Sequence, residues 1–307
     1  MRILVSGGAG FIGSHIVEAY RSLGHELAIL DNFSTGLREN VHPDAKLYEV
    51  DLTDQSAVER AVREFEPELI NHQAAHLSVP ESVKKPQFNA TVNILGFLNL
   101  MEAARRSVKR VIIASTGGAL YGDTDQVPTP ETHPTLPVSP YGVTKLTAEQ
   151  YLHFYHTEYP EINWVALRYS NVYGPRQNPK GETGVIAVFL ERMMTGQAAT
   201  IYGDGLQTRD YVFVEDVARA HVAALDKGNG AYNIGTGQET NVKEIYAFLQ
   251  KATDLIQEAQ FGPARPGEQK RSALDCARAK TELDWEPMIE LKEGVQRTVD
   301  WYKNRKS

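Results

Sequence analysis

Residues 139–145 read SPYGVTK, which places Tyr141 and Lys145 four positions apart directly after a proline. On a helix that spacing stacks a phenol and an ammonium one turn apart. Such pairs also occur on ordinary helix surfaces, so the pair alone decides nothing. Its chemical use would be proton transfer: a lysine held beside a tyrosine favours the phenolate and brings its titration toward neutral pH. A second group of reactive types lies at Ser115 and Thr116, two hydroxyls at the end of the apolar run RVIIA.

These side chains need a scaffold, and the chain supplies alternating short apolar runs and longer helical patterns. Strands are predicted at Arg2–Ser6, Glu26–Leu30, Lys46–Val50, Leu69–His72, Arg110–Ala114 and Trp164–Arg168. Between them, helices are predicted at Phe11–Leu23, Gln55–Phe65, Phe88–Arg106 and Pro140–Tyr159. The alternation predicts an α/β fold, a doubly wound parallel sheet with helices on both faces and ligands beyond the carboxyl ends of its strands. After about Gly174 glycine and proline become frequent, as in YGPRQNPKGETG and FGPARPGEQ, which points to a smaller irregular lobe. We place the boundary near residue 170, with 1–170 forming the first domain and 171–307 mainly the second. Part of about 210–235 is expected to return to the first.

The chain of 307 residues is 42% hydrophobic and 23% charged, with a net charge of -7. That acidic balance supplies no basic footprint for nucleic acid. The N-terminal MRILVSGGAG reads as a strand running into glycines rather than a signal peptide, and no apolar run is long enough for a membrane span. Cys276 is the single cysteine, so neither an intrachain disulfide nor a cysteine metal cluster can form. The pairs His72/His76 and His153/His156 lack the company a zinc site needs, and no metal is expected. A reducing cytoplasm fits this composition.

The first strand runs into Gly7-Gly8-Ala9-Gly10-Phe11-Ile12-Gly13, a G-x-x-G-x-x-G sequence between strand and helix. In that context the glycines permit a tight turn (Gly7), close approach to a pyrophosphate (Gly10) and close helix–strand packing (Gly13). The helix N-terminus offers free N–H groups to phosphate. Asp31 closes the second strand, where a carboxylate accepts from an adenosine ribose and repels a 2′-phosphate. With Asn32 next and no arginine before Arg38, the cofactor is read as NAD. Asp51 could bond the adenine amino group or belong to the N-cap region of the next helix.

Together these segments resemble the extended short-chain dehydrogenase/reductase family, and within it the UDP-galactose (UDP-glucose) 4-epimerases. The resemblance spans essentially the whole chain. It is carried by GGAGFIGSH at 7–15, DNFSTG at 31–36, NHQAAHLSV at 71–79, STGGALYGD at 115–123, SPYGVTK at 139–145, RYSNVYGPRQ at 168–177, YGDGLQTRDYVFVEDVA at 202–218 and YNIGTG at 232–237. It implies bound NAD, with contacts from Phe11 and Ile12, from Ser34, Thr35 and Gly36, from Leu52, from Gln73, Ala74 and Ala75, and from Asn93, Ser115 and Tyr169. It makes Tyr141 the catalytic base and Lys145 its partner, holding the nicotinamide ribose. The hydroxyl that assists Tyr141 is assigned to Thr116 with Ser115 in support, because the epimerases' serine falls at Gly117 here. Related 4,6-dehydratases carry Asp-Glu where this chain has Gly117-Gly118, and glycine transfers no proton. The glutamate usual in related decarboxylases is also absent.

For the sugar nucleotide the resemblance implies Asn171, Val185, the diphosphate clamps Arg209 and Arg265, Tyr202 beside the base, and Tyr211. His76 falls near the sugar. Ser272 occupies a position where a bulky tyrosine narrows the pocket in some members, so tolerance of N-acetylated sugars is expected. The expected reaction is interconversion of UDP-glucose and UDP-galactose through a 4-keto intermediate. A one-way reductase, another modification of nucleotide sugars, or a non-catalytic NAD sensor are the alternatives. Relatives are often homodimers, joined here through Phe88–Arg106 and Pro140–Tyr159.

Overall fold

The computed structural model describes residues 1–179, 184–264 and 269–305. Seven parallel strands form its main sheet. In chain order they are β1 (Arg2–Ser6), β2 (Glu26–Asp31), β3 (Lys46–Glu49), β4 (Leu69–His72), β5 (Arg110–Thr116), β6 (Asn163–Tyr169) and β7 (Gly230–Ile234). Their spatial order is β7-β6-β5-β4-β1-β2-β3. The order reverses beside β1 and β4, so the loops after these strands diverge and open a crevice at the carboxyl edge.

The inner strands are apolar on both faces because both faces are covered. Ile3 and Val5 of β1 join Ile16, Leu167, Val217 and Ala220 in one core, while Leu4 joins Val58, Phe97, Leu100 and Leu152 in the other. The first core is covered by α1 (Phe11–Ser22) and by the helix Val214–Ala223. That helix and β7 show how the later chain re-enters the sheet. A third core, with Phe189, Ile201, Phe213, Ile245 and Val299, belongs to the second lobe.

Two predicted elements differ. The helix expected at Phe88–Arg106 is built from Pro86–Ala90, a π-turn at Thr91–Leu95, and Gly96–Ala104. The wider turn carries Asn93, and such turns recur at functional sites. Strand β5 runs two residues beyond the predicted Ala114, to Thr116, so the hydroxyl pair lies inside the ladder, opposite Arg168 and Tyr169 of β6. No helix among the described residues is long and apolar enough to cross a membrane.

Candidate active site

The glycine loop leaves β1 at Gly7, whose φ of +72° favours glycine. A Cβ there would sit 2.6 Å from the backbone nitrogen of Ala74. A Cβ on Gly13 would collide with the Gly7 carbonyl oxygen. The loop is therefore packed backbone to backbone against the segment after β4, where the N–H groups of Gln73 and Ala74 both donate to Ser6 O (2.9 and 3.1 Å). No side chain caps α1 at Gly10. At a helix start the first-turn N–H groups, here those of Phe11, Ile12 and Gly13, lack a carbonyl one turn back and are of the kind that can donate to an anion. The ring of Phe11 is buried edge-on to His15, so Phe11 offers its backbone.

Asp31 anchors this cradle. Its buried carboxylate accepts from Ala9 N (3.0 Å) and Phe33 N (2.9 Å). Burial pushes its pKa up, opposed by those two bonds. Gly36 lies against it: a Cβ there would stand 2.8 Å from Asp31 Oδ1. Ser34 N donates to Asn32 Oδ1 (3.0 Å), and Asn32 Nδ2 donates to Asp51 Oδ2 (2.7 Å), fastening the DNFSTG loop to the chain after β3. Thr35 ends the turn. Asp51 lies beyond β3, and Asp54, not Asp51, caps the next helix by accepting from Ala57 N (3.0 Å). Burial acts to raise the Asp51 pKa, but bonds from Thr53 and Asn32 outweigh it and hold the carboxyl low. Leu52 is buried beneath, against Gly96.

The other wall comes from the helix Pro140–Glu158. Ser139 caps it by accepting from Gly142 N (3.1 Å), and Pro140 takes the first helical position. This start aims Tyr141 and Lys145 at the end of β5. Lys145 Nζ donates to Ala114 O (2.8 Å) and lies 5.9 Å from the centroid of the Tyr141 ring. Tyr141 is half-buried, whereas Lys145 is 5% exposed. Burial lowers the Lys145 pKa to about 8, and the charge of Glu149 opposes that fall.

Sequence reasoning misses Glu149, although it continues the spacing: Tyr141, Lys145 and Glu149 occupy successive turns of one face. It accepts from Arg168 Nε (3.0 Å) and Nη2 (2.6 Å), and from Ser115 Oγ (2.5 Å). Ser115, expected in support of Thr116, is buried with its hydroxyl donating to Glu149. Thr116, on the opposite face of the pleat, is half-buried and has no side-chain hydrogen bond among the described residues. Of the two hydroxyls, that of Ser115 points inward to Glu149 and that of Thr116 lies on the other face of the strand. The next residue is Gly117, where a Cβ would stand 2.5 Å from the Leu274 methyls, so a serine there would have to displace a buried leucine.

The loop after β4 is held from below. The Asn93 amide accepts from His76 N (2.7 Å) and donates to His76 O (3.1 Å) and Thr144 Oγ1 (3.0 Å). Its groups are thus committed to positioning the 74–76 loop, rather than free for a cofactor. His76 Nδ1 meets Asn89 Nδ2 (3.0 Å) and its ring lies edge-on to Phe88. Ala75 sits between the two anchored residues. Gln73 and Tyr169 face a buried polar chain: Tyr169 donates to Gln73 Oε1 (3.2 Å) and meets His221 Nε2, Gln73 donates to Asn71 Oδ1 (2.6 Å), and Asn71 donates to Tyr20 (2.7 Å). Burial lowers the His221 pKa to about 3, so it is a neutral member of that floor. His72 is likewise buried and neutral, bonded to Ser6 Oγ (2.7 Å), with burial and then Lys145 lowering its pKa to about 3.

Across the crevice, strand Asn171–Tyr173 pairs with Tyr211–Phe213, placing exposed Asn171 beside the Arg209 segment. Arg209 Nη1 donates to Thr208 O (2.7 Å). Val185 opens the helix Val185–Met194, and Tyr202 is part-exposed at a strand end. Tyr211 differs from expectation: it is buried edge-on to Tyr173 in the core of the second lobe. Ser272 is buried in a segment held by Thr129 N, which donates to Ala273 O (2.9 Å). Arg265 lies outside the described residues.

The family profile described as NAD dependent epimerase/dehydratase matches residues 3–235. The UDP-glucose 4-epimerase of Mycolicibacterium smegmatis is 42% identical over 318 residues, covering 99% of both chains. The solved UDP-glucose 4-epimerase of Thermotoga maritima, with UDP-glucose, is 44% identical with a TM-score of 0.97 over 100% of both chains. That of Thermus thermophilus, in complex with NAD, is 46% identical with a TM-score of 0.94 over 99% of both. The cradle, the Tyr141–Lys145 face and these matches agree, and the chain belongs to the NAD dependent epimerase/dehydratase family.

Proposed function

We propose that the protein is an NAD-dependent UDP-sugar 4-epimerase that interconverts UDP-glucose and UDP-galactose. The observation that carries this is Lys145, buried and bonded to the end of β5, one turn from Tyr141 at the crevice that the glycine loop opens. NAD fits that crevice: the uncapped start of α1 receives the pyrophosphate, Gly7 and Gly13 leave no room for side chains, and Asp31 faces the adenosine ribose. Bound there, NAD supplies reversible oxidation at the sugar's C4. Tyr141, as phenolate, accepts the proton of the 4-hydroxyl and later returns it. The Lys145 ammonium favours that phenolate and orders the nicotinamide ribose. Thr116 steadies O4 by hydrogen bonding, and Arg209 with Arg265 holds the diphosphate. Gly117 and Gly118 provide no acid or base for losing water, which favours epimerisation over dehydration.

The nucleotide-binding part spans 1–170 with returning segments near 210–235, and 171–307 mainly binds the sugar nucleotide. Ser272 leaves space for an N-acetyl group. The working form is a cytoplasmic homodimer. Phe88, Leu95, Val143 and Phe154 stand exposed on the two adjoining helical segments named above, an apolar face suited to a second copy.

The test is NMR of the purified protein with UDP-galactose and no added cofactor. Appearance of UDP-glucose, abolished in Tyr141→Phe, is the expected result. NADH released in step with sugar consumption would instead identify a one-way dehydrogenase. Absence of turnover of UDP-N-acetylglucosamine would overturn the reading of Ser272.

A further inference from the structure

Asp210 is fully buried between Arg209 and Tyr211 and carries no role in the chemistry above. A buried carboxylate is tolerable only when hydrogen bonds replace its water. Asp210 has four: Oδ1 accepts from Thr236 N (2.8 Å) and Thr236 Oγ1 (2.7 Å), and Oδ2 accepts from Gly237 N (3.0 Å) and Leu274 N (3.2 Å). Its own carbonyl accepts from Asn171 N (2.9 Å). Burial pushes its pKa up, and these donors oppose the rise.

The donors belong to three segments distant in sequence. Asn171 is a candidate sugar-nucleotide contact. Thr236 and Gly237 form the turn after β7. Leu274 follows Ser272 by two residues and presses its methyls on Gly117, next to Thr116. The carboxylate therefore ties the Arg209–Tyr211 stretch to the turn after β7 and to Leu274 beside the end of β5, while the main-chain carbonyl of Asp210 holds Asn171. We propose that Asp210 is a positioning residue that couples the Arg209 diphosphate clamp to the Ser272 sugar pocket. This rests on the epimerase reading. It predicts that loss of Asp210 is felt by the sugar nucleotide and not by NAD, whose cradle lies on β1 and β2.

The experiment compares wild type, Asp210→Asn and Thr236→Val as NAD-loaded proteins. Bound NAD per chain, KM for UDP-galactose and the Kd of UDP are measured, and KM and Kd do not depend on the fraction of unfolded chain. Asp210→Asn is expected to keep its NAD and to raise both KM and Kd by about tenfold, the weight of a charge-assisted bond. Thr236→Val, which removes one donor, should shift both in the same direction by roughly threefold. KM and Kd within twofold of wild type in both variants would overturn the proposal, as would loss of NAD in parallel with loss of sugar binding. If Asp210→Asn fails to fold, Thr236→Val decides alone. A wild type that binds UDP but turns over no UDP-galactose would sink the epimerase reading, while the Kd comparison would still decide the role of Asp210.

Discussion

Glu149→Gln should cost far more than an ordinary polar substitution. Glu149 and Arg168 are both buried, and their side chains form a two-pronged ion pair (3.0 and 2.6 Å). Neutralising the carboxylate leaves a guanidinium inside the protein with no counter-charge, held among the described residues by neutral groups alone, the new amide oxygen and Tyr121 (3.0 Å). Breaking one side of such a pair costs about 3–5 kcal/mol, a large part of a total stability of about 5–15 kcal/mol. With about 2–4 °C lost per kcal/mol, the variant should melt on the order of 10 °C below wild type at pH 7 and saturating NAD. The paired change Glu149→Leu with Arg168→Met removes both charges. It should recover most of that loss, because apolar replacement of a buried pair is often neutral or stabilising. Tyr121 would keep its bond to Asn233 Oδ1 (2.7 Å). Calorimetry on the three proteins measures this directly. A single variant melting within about 2 °C of wild type, or a double variant no better than the single, would refute the account.

The remaining predictions concern the site itself. The pKa of Lys145 is about 8 when folded, below its ordinary 10.5. Between those values the unfolded chain binds more protons, so the burial cost is fully present below pH 8 and is relieved as pH rises toward 10.5. A shift of that size is worth about 3 kcal/mol. Lys145→Met should therefore abolish turnover yet stabilise the NAD-free protein at pH 7 by up to about 3 kcal/mol; in urea titrations, a loss of stability at pH 7 would contradict this. Turnover should fall as pH rises through the Lys145 pKa, and the fall should begin at lower pH in Glu149→Gln, as pH–rate profiles will test. Thr116→Val should cost roughly 100-fold in kcat, whereas Ser115→Ala should act mainly on melting temperature; the reverse pattern in kinetics and calorimetry would exchange their roles. Gly13→Ala should yield protein without bound NAD, and normal NAD content on spectroscopy would disprove the steric reading. Phe154→Arg should shift the protein to a monomer in light scattering, and an unchanged mass would remove that helix from the dimer face.

What is legible in the sequence is local. The glycine loop and the Tyr141–Lys145 pair are short motifs whose residues act on their immediate surroundings, and the strands carry apolar runs of the right length. The less legible features depend on distant partners. Asp210 reads as a polar residue in R-D-Y until the fold brings up Thr236, Gly237 and Leu274. Ser115 and Thr116 cannot be separated by composition; alternation across the pleat separates them, once β5 is known to extend through both. Tyr211 follows the same logic, since its strand turns it into the second core. Glu149 does leave a signal, the continued four-residue spacing, but its purpose depends on Arg168 from another strand. Asn93 lies buried in the wider turn, where its amide is consumed by His76 and Thr144.

The helix Pro140–Glu158 shows why these long-range partners matter to the chemistry. Its successive turns carry a phenol at the crevice, an ammonium at the end of β5 and a carboxylate beneath. A lysine so deeply buried tends to lose its proton, and an unprotonated lysine would no longer favour a phenolate. Glu149 opposes that loss, and Arg168 and Ser115 keep Glu149 itself tolerable in the interior. The neutral state of His72 matters as well, since a second positive charge beside Lys145 would push the ammonium toward deprotonation. The reactivity assigned to Tyr141 thus depends on a graded series of charges running inward from the site, each group stabilised by the next. A fold that opens its ligand crevice at a strand edge can support such a series, because the adjacent strands β4, β5 and β6 each deliver one side chain to the same buried layer.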